Sequence, residues 1–162
     1  MIEIERKFLL KAMPDVLPTE IVKIDQFYFK NREGVWERVR QWDSNVNGKK
    51  WIHTIKKRIN DISNEEIENE ISKKEYDKFK KKCYINKLNA RHIRKERWIY
   101  PDGDLKWEVD LFKDNYHLII AEIEIPTEDY DLILPDFINK KNLLEVTGLK
   151  QFSNRSLSVK MK

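Results

Sequence analysis

The sequence predicts an α+β protein built on an eight-stranded antiparallel β-barrel, with a polar lumen and helices packed on its outside. Three observations predict it: eight stretches read as extended strands, one stretch carries helical spacing, and the charged faces of the strands are sorted by sign. A face that looks at solvent normally mixes its charges, because like charges at nearby same-face positions repel. Sorting them strand by strand becomes useful when the faces converge.

The first strand, residues 1–8, points Glu3, Glu5 and Lys7 to one side and Ile2, Ile4 and Phe8 to the other. Two carboxylates on adjacent same-side pleats are spaced to share a divalent cation, and Lys7 beside them can balance a bound anion. An antiparallel sheet with one solvated face gives the same alternation without any function, so the later strands decide. Residues 13–20 carry Pro14 and Pro18 and read as a loop or a short helical turn. Residues 22–31 form the second strand. The third, 35–42, puts Arg38 and Arg40 on one face with Trp36 and Trp42. After a hairpin loop at 43–50, the fourth strand, 51–59, sets Thr54, Lys56 and Arg58 against Ile55 and Ile59. The fifth, 66–71, has one face made entirely of Glu66, Glu68 and Glu70.

From Ser72 the spacing turns helical through Tyr76, Phe79 and Cys83, with Ser72 and Glu75 in the pattern of a capping box. The sixth strand, 93–100, bears Lys95 and Arg97, and the turn at 101–104 offers Gly103 for a positive dihedral angle. The seventh, 105–112, sets Glu108 and Asp110 against Trp107, Val109 and Leu111. The eighth, 117–126, sets Glu122 and Glu124 against Ala121, Ile123 and Ile125. A short helical turn is expected after Pro135, and residues 147–162 show no clear periodicity.

The carboxylate strands are therefore the first, fifth, seventh and eighth; the cation strands are the third, fourth and sixth. Curled into a barrel with these faces inward, one wall holds metal ions and the other holds the anion those ions bridge. Unpaired charge in a closed interior is costly, so such a lumen must stay wet, pair its walls or take up ions. Phosphate chains with bound Mg²⁺ suit it, because Mg²⁺ keeps waters and phosphate oxygens beside one or two carboxylates and arginine grips phosphate through paired donors.

Composition sets the outer bounds. The 162 residues fit one domain, 1–162. Charged residues make up 37%, yet 5 Trp, 6 Tyr and 7 Phe argue against disorder. The net charge of +4, from 32 basic against 28 acidic side chains, does not by itself indicate nucleic acid. The single cysteine, Cys83, excludes an internal disulfide and reads as a buried apolar group on its helix. No apolar run is long enough to span a bilayer and the N-terminus reads at once as a strand, so a soluble cytoplasmic protein is expected.

The motif Glu3-Ile4-Glu5-Arg6-Lys7-Phe8 resembles the Glu-x-Glu-x-Lys signature of the CYTH superfamily, the triphosphate tunnel metalloenzymes. Further matching pieces follow in order: Trp36-Glu37-Arg38-Val39-Arg40, Thr54-Ile55-Lys56, residues 66–71, Trp107-Glu108-Val109-Asp110 and residues 120–124. Over nearly its whole length the chain is similar to the short bacterial inorganic triphosphatases. The resemblance implies an eight-stranded tunnel that hydrolyses triphosphates with Mg²⁺ or Mn²⁺, inorganic tripolyphosphate being the usual substrate. It implies metal ligation by Glu3, Glu5 and Glu124 with support from Glu122, and Asp110 joins them as a candidate from the carboxylate strands. It implies phosphate binding by Lys7, Arg38, Arg40, Lys56, Lys95 and Arg97. Glu66 or Glu68 would complete a second metal site or orient the attacking water, with Lys7 beside them in the chemistry. Asn64 stands where many relatives have arginine, and Gln151-Phe152-Ser153-Asn154 only loosely matches their tyrosine-rich closing segment.

Within the same tunnel chemistry, a class IV adenylate cyclase, a thiamine triphosphatase or an RNA triphosphatase would use the same groups. A non-catalytic polyphosphate- or RNA-binding module would use the cations alone and has no need of segregated carboxylates. The expected partner is thus a small anionic triphosphate, with no membrane, no stable nucleic acid complex, and a monomer or homodimer. The three histidines and five tryptophans are expected to serve packing and surface roles rather than catalysis or nucleotide stacking.

Overall fold

The alternating stretches do form strands, and they close on themselves. The computed structural model describes residues 2–114 and 117–161; Met1 and Lys162, the outer ends of the first strand and of the C-terminal piece, lie outside them. The strands are β1 (Ile2–Leu10), β2 (Glu20–Lys30), β3 (Trp36–Ser44), β4 (Gly48–Arg58), β5 (Ser63–Ile71), β6 (Ala90–Asp102), β7 (Leu105–Phe112) and β8 (Ile119–Glu124). They pair antiparallel in the order β6-β2-β3-β4-β5-β1-β8-β7, and β7 pairs back onto β6. This is a closed eight-stranded barrel.

The circular order matters for the charges. The carboxylate strands β5, β1, β8 and β7 are consecutive around the barrel, and the cation strands β6, β3 and β4 occupy the other half with β2 among them. Two opposed walls result. The lumen is less polar than the sequence suggests, because the register places Val22 and Ile24 of β2 opposite Arg97 and Lys95, and Ile120 of β8 opposite Asp110. Cross-strand partners share a face, so these apolar side chains fill part of the interior beside the charges.

Outside, two apolar layers are covered. Helix α1 (Lys73–Ile85) lies over the face made by Phe27, Phe29 and Val39, burying Tyr76 and Cys83. The expected capping box is present: the Ser72 hydroxyl accepts from the Glu75 amide (3.1 Å) and the Glu75 carboxylate accepts from the Ser72 amide (3.3 Å). The segment after β8, ending in α2 (Asp136–Asn139), covers Phe8, Trp107, Val109 and Ile123, with Ile138 fully buried and Phe137 stacked on Tyr100 (4.8 Å). The proline-bearing segment after β1 is a loop without a helical turn.

Two short strands and one short helix are additions to the sequence reading. β9 (Asn142–Glu145) pairs with β1 at Phe8–Leu10, continuing the edge that β5 holds only at Ile2–Ile4. α3 (Asn154–Leu157) and β10 (Val159–Lys160), which pairs with β6 at Arg91 and His92, close the chain over one end of the barrel. Four-residue elements carry too few positions to show a period. Among the described residues no helix is long and apolar enough to cross a membrane.

Candidate active site

Strand pleating delivers the charges inward and cross-strand register brings them level. Glu5 lies opposite Glu124 and Lys7 opposite Glu122 on β8, while Glu108 of β7 lies opposite Glu122 from the other side. On the far wall Arg38 lies opposite Thr54, and Lys56 lies opposite Glu66. A cavity of about 550 Å³ follows, lined by Glu3, Glu5, Glu66, Glu68, Glu108, Glu122 and Glu124 and by Arg38, Arg40, Lys50, Lys56, Arg97 and Lys106.

The walls reach each other through ion pairs. Lys7 Nζ sits 3.6 Å from both Glu5 and Glu122. Lys56 Nζ lies 3.5 Å from Glu3, 3.5 Å from Glu5 and 3.8 Å from Glu66. Arg40 donates to Glu68 at 2.9 Å, and Thr54 reaches the same carboxylate oxygen. The CYTH domain family matches residues 1–157. The chain belongs to the CYTH family.

Solved structures agree on the fold. The chain is similar to NE1496, with a TM-score of 0.64 at 25% identity, covering 99% of both chains, in a structure described as a hypothetical protein. A second structure of NE1496, described as an inorganic triphosphatase, gives 0.63 at 24% identity, covering 98% of this chain and 95% of that one. HpAC1 from Hippeastrum, described as a putative adenylyl cyclase with a dominant triphosphatase activity, gives 0.53 at 16% identity over 77% and 80%. A search of the curated proteins gave no match.

Both walls of this CYTH lumen are crowded with like charge. Burial, a hydrogen bond with Glu66 and the charges of Glu5 and Glu66 push the Glu3 carboxyl up to about 10, although Lys56 opposes them. Burial, with Glu108 next, raises Glu124 as well. Burial would raise Glu5 too, but the Lys56 and Lys7 ammoniums overcome it and hold Glu5 at about 2. On the opposite wall burial, Arg38 and Arg97 pull the Arg40 guanidinium down to about 10. The Nε atoms of Arg38 and Arg40 and Oε2 of Glu3 are buried without a hydrogen-bond partner. The Lys56 ammonium, 3.5 Å from that Glu3 oxygen, is shared with Glu5 and Glu66, and Arg40 reaches Glu68 through Nη2 alone.

Those orphaned atoms are the test of whether a divalent ion fits. The donors at the acidic wall are carboxylate oxygens, the hard ligands that Mg²⁺ and Mn²⁺ prefer. Among the described residues no three His, Cys, Asp or Glu converge into a finished cage. The fit is one of donor chemistry, not of a finished cage. The residues fit the ion.

Ten of the thirteen candidate residues line this cavity, and Lys7 lines the adjoining cavity described below. Asp110 and Lys95 do not. Asp110 is fully buried and both of its oxygens are engaged, accepting from Arg97 Nε (2.8 Å), Arg97 Nη2 (2.9 Å) and Lys95 Nζ (2.8 Å). The placement of Asp110 among the metal-facing carboxylates is corrected on that ground: it anchors cations. Lys95 also donates to Asn154 Oδ1 at 3.1 Å, so it holds the C-terminal segment in place. Arg97 does line the cavity, fixed by Asp110 and by Glu108 (2.7 Å).

The sequence reading missed Trp42, Lys50, Lys106 and Asn154 in this lining. Trp42 and Lys50 continue the inward parity of their strands, so alternation alone could have found them. The ring of Trp42 lies against Arg40 (5.7 Å), Lys50 (5.4 Å) and Arg97 (5.6 Å), holding three cations by their charge on its π-face. Trp42 thus lines the first cavity and Trp36 the second, in addition to the packing expected of the tryptophans. Among the described residues no histidine lines either cavity: His53 pairs with Glu37 (3.0 Å) and His92 with Asp25.

A second cavity of about 450 Å³ adjoins the first, sharing Glu5, Arg38, Lys56 and Asn154 with it. One side of it is the turn at Gly148, whose φ of +73° favours glycine and whose carbonyl accepts from Arg58 (3.0 Å). A Cβ there would stand 2.6 Å from the Asp61 carbonyl oxygen. Gly148→Ala is expected to cost about 1–3 kcal/mol and to loosen the C-terminal segment. A thermal melt together with faster proteolytic release of the C-terminal residues checks it.

Proposed function

We propose that this chain hydrolyses a triphosphate in its lumen, with inorganic tripolyphosphate as the substrate and Mg²⁺ or Mn²⁺ as the cofactor. One observation carries the reading: a wall of seven carboxylates faces a wall of arginines and lysines across one cavity. A metal-bound phosphate chain satisfies both at once. NE1496 and HpAC1, described as carrying triphosphatase activity, share this fold.

Glu3, Glu5 and Glu124 would hold the ion, with Glu122 keeping Lys7 beside them. When bound, the ion withdraws charge from the phosphoryl oxygens and lowers the pKa of a bound water. Arg38, Arg40, Lys56 and Arg97 bind the phosphates and balance the charge that spreads to the leaving group. Glu66 neighbours Glu3 and stays ionised, held at about 2: burial opposes its charge, but Glu3, Glu68, Arg38 and Lys56 together outweigh it. Its retained charge supports a role in orienting the attacking water. Glu68 is committed to Arg40 and serves as its anchor.

The chain is read as a cytoplasmic monomer or homodimer acting on a small anion, with no membrane or stable nucleic acid partner. The test is a panel of tripolyphosphate, ATP and thiamine triphosphate with Mg²⁺ or Mn²⁺, followed by released phosphate. Turnover of tripolyphosphate that stops on chelation is the expected result. Cyclic AMP from ATP in its place would make the chain a cyclase, and metal-independent binding without turnover would make it a polyanion module.

A further inference from the structure

Strand register brings one aromatic ring and three cations together at the wall of the first cavity. Trp42 lies opposite Lys50 on β4 and Ile24 on β2, and Arg40, two residues before it on β3, shares its face. Apolar contact with Val22, Ile24 and Ile99 seats the indole. Lys50, Arg97 and Arg40 then stand over the ring at 5.4, 5.6 and 5.7 Å. Among the described residues Trp42 is the one aromatic side chain in this lining.

Lys7 and Lys56 are held differently. Lys7 sits between Glu5 and Glu122, and Lys56 among Glu3, Glu5 and Glu66, so each is fixed by groups that also cancel its charge. The face of an aromatic ring attracts a cation through its quadrupole and carries no net charge. A cation fixed in that way keeps its full attraction for an anion. The difference is greatest for Lys50: it is exposed, no carboxylate among the described residues forms an ion pair with it, and the Trp42 ring is what directs its ammonium over the cavity. These cations repel one another, since after burial it is the charges of Arg38 and Arg97 that pull Arg40 down.

We propose that Trp42 is a positioning residue for substrate binding: it gathers Lys50, Arg40 and Arg97 into one cluster without neutralising them, and makes Lys50 a further residue that contacts the phosphates. The identity of the anion rests on the triphosphatase reading. A nucleobase is a poorer occupant of the ring, because three cations already stand over it. The cluster meets the phosphates in the ground state and the transition state alike, so its loss should raise KM and spare kcat.

The experiment uses the full chain with Trp42→Leu, Trp42→Phe, Lys50→Met, and Trp42→Leu combined with Lys50→Met. Kinetics on tripolyphosphate with Mg²⁺ give kcat and KM, and calorimetry with Mg²⁺ and a methylene-bridged tripolyphosphate, which water cannot cleave, gives affinity without turnover. Leucine keeps the apolar packing and removes the ring face. Trp42→Leu should therefore raise KM and weaken the analogue about tenfold, the size of one or two desolvated cation–π contacts, with kcat within about threefold of wild type. Trp42→Phe restores a ring face and should recover most of that loss. Lys50→Met should weaken binding about fivefold in the wild-type background and less than about twofold once Trp42 is leucine, because the ammonium has then already lost its place. Unchanged KM in Trp42→Leu, phenylalanine no better than leucine, or additive effects of the two substitutions would overturn the proposal. ATP bound more tightly than tripolyphosphate, with the preference lost in Trp42→Leu and kept in Lys50→Met, would overturn it in favour of a base-stacking ring. Should Trp42→Leu melt before it can be assayed, Lys50→Met decides, because an exposed lysine can be replaced in a folded chain: unchanged affinity there overturns the proposal. A wild type that binds the analogue with this pattern of losses but leaves tripolyphosphate intact would support the positioning role and reject the hydrolase reading. Turnover by Trp42→Leu at an unchanged KM would do the reverse.

Discussion

Asp110→Asn is expected to destabilise the barrel by about 3–5 kcal/mol, the cost of breaking a buried ion pair by removing one partner. The substitution keeps the shape of the side chain and removes its charge. Asp110 is 0% exposed and accepts two bonds from Arg97 and one from Lys95. An amide in its place points an N–H at one of these donors and offers Lys95 no charge, only neutral oxygens such as that of Asn154. Burial already drags the Lys95 ammonium down to about 8 in spite of Asp110. For a domain of this size the loss corresponds to roughly 10–20 °C in Tm.

The same group sets a pH signature. Burial would raise the Asp110 carboxyl, but Arg97 and Lys95 outweigh it and hold it well below the usual carboxylate range. A depressed carboxyl contributes stability that is fully present above its unfolded value of about 3.9 and lost as the pH falls through the folded value. Wild-type Tm should therefore decline in acid below about pH 4, and the decline should be shallower in the Asn variant because this contribution is already gone. Melts followed by circular dichroism at pH 7 and from pH 5 to pH 2 check both parts. Matching Tm values at neutral pH would show that Arg97 and Lys95 do not depend on Asp110.

Asp110 also marks the boundary of what the sequence makes legible. Alternation assigns a side chain to a face, and it did so correctly for Glu3, Glu5 and Lys7, for Arg38 and Arg40, for Lys56, and for Glu122 and Glu124. It does not say how far along the tunnel a residue sits or which opposite residue it meets. Glu108 and Asp110 share a face two residues apart, yet Glu108 lines the cavity while Asp110 lies level with Arg97 and is consumed by it. Only the pairing of β6 with β7 decides between them. The consecutive order of the acidic strands was hidden for the same reason, since β1 joins β5 to β8 from the far end of the chain. Alternation also assigned Val22, Ile24 and Ile120 no role in the lumen, because apolar inward residues look the same as outward ones in a strand without charges. The course of residues 147–161 depends on single contacts, Asn154 to Lys95 and the Gly148 turn to Arg58, which leave no periodic trace.

Glu5→Gln should leave a folded protein and abolish turnover, by a factor on the order of 100 or more, the range expected when several kcal/mol of transition-state charge stabilisation by an ion is lost. Glu5 stands at the junction of the two cavities, between Lys7 and Lys56 and opposite Glu124. Both ammoniums keep other carboxylates when it becomes neutral: Glu122 for Lys7, and Glu3 and Glu66 for Lys56. That redundancy is absent around Asp110, so the Tm change should be smaller than for Asp110→Asn. A second readout is independent of catalysis. An ion that binds only the folded chain raises its stability by about 2.7 kcal/mol at a hundredfold excess over its Kd, so Mn²⁺ should raise the wild-type Tm and fail to raise that of the variant. Glu70, exposed on the same β5 strand as Glu66 and Glu68 but outside both cavities, is the control, and Glu70→Gln should retain both turnover and the Mn²⁺ shift. Full tripolyphosphate turnover by Glu5→Gln, with the Mn²⁺ shift intact, would remove Glu5 from the metal site and take with it the reason for grouping Glu3 and Glu124 around an ion.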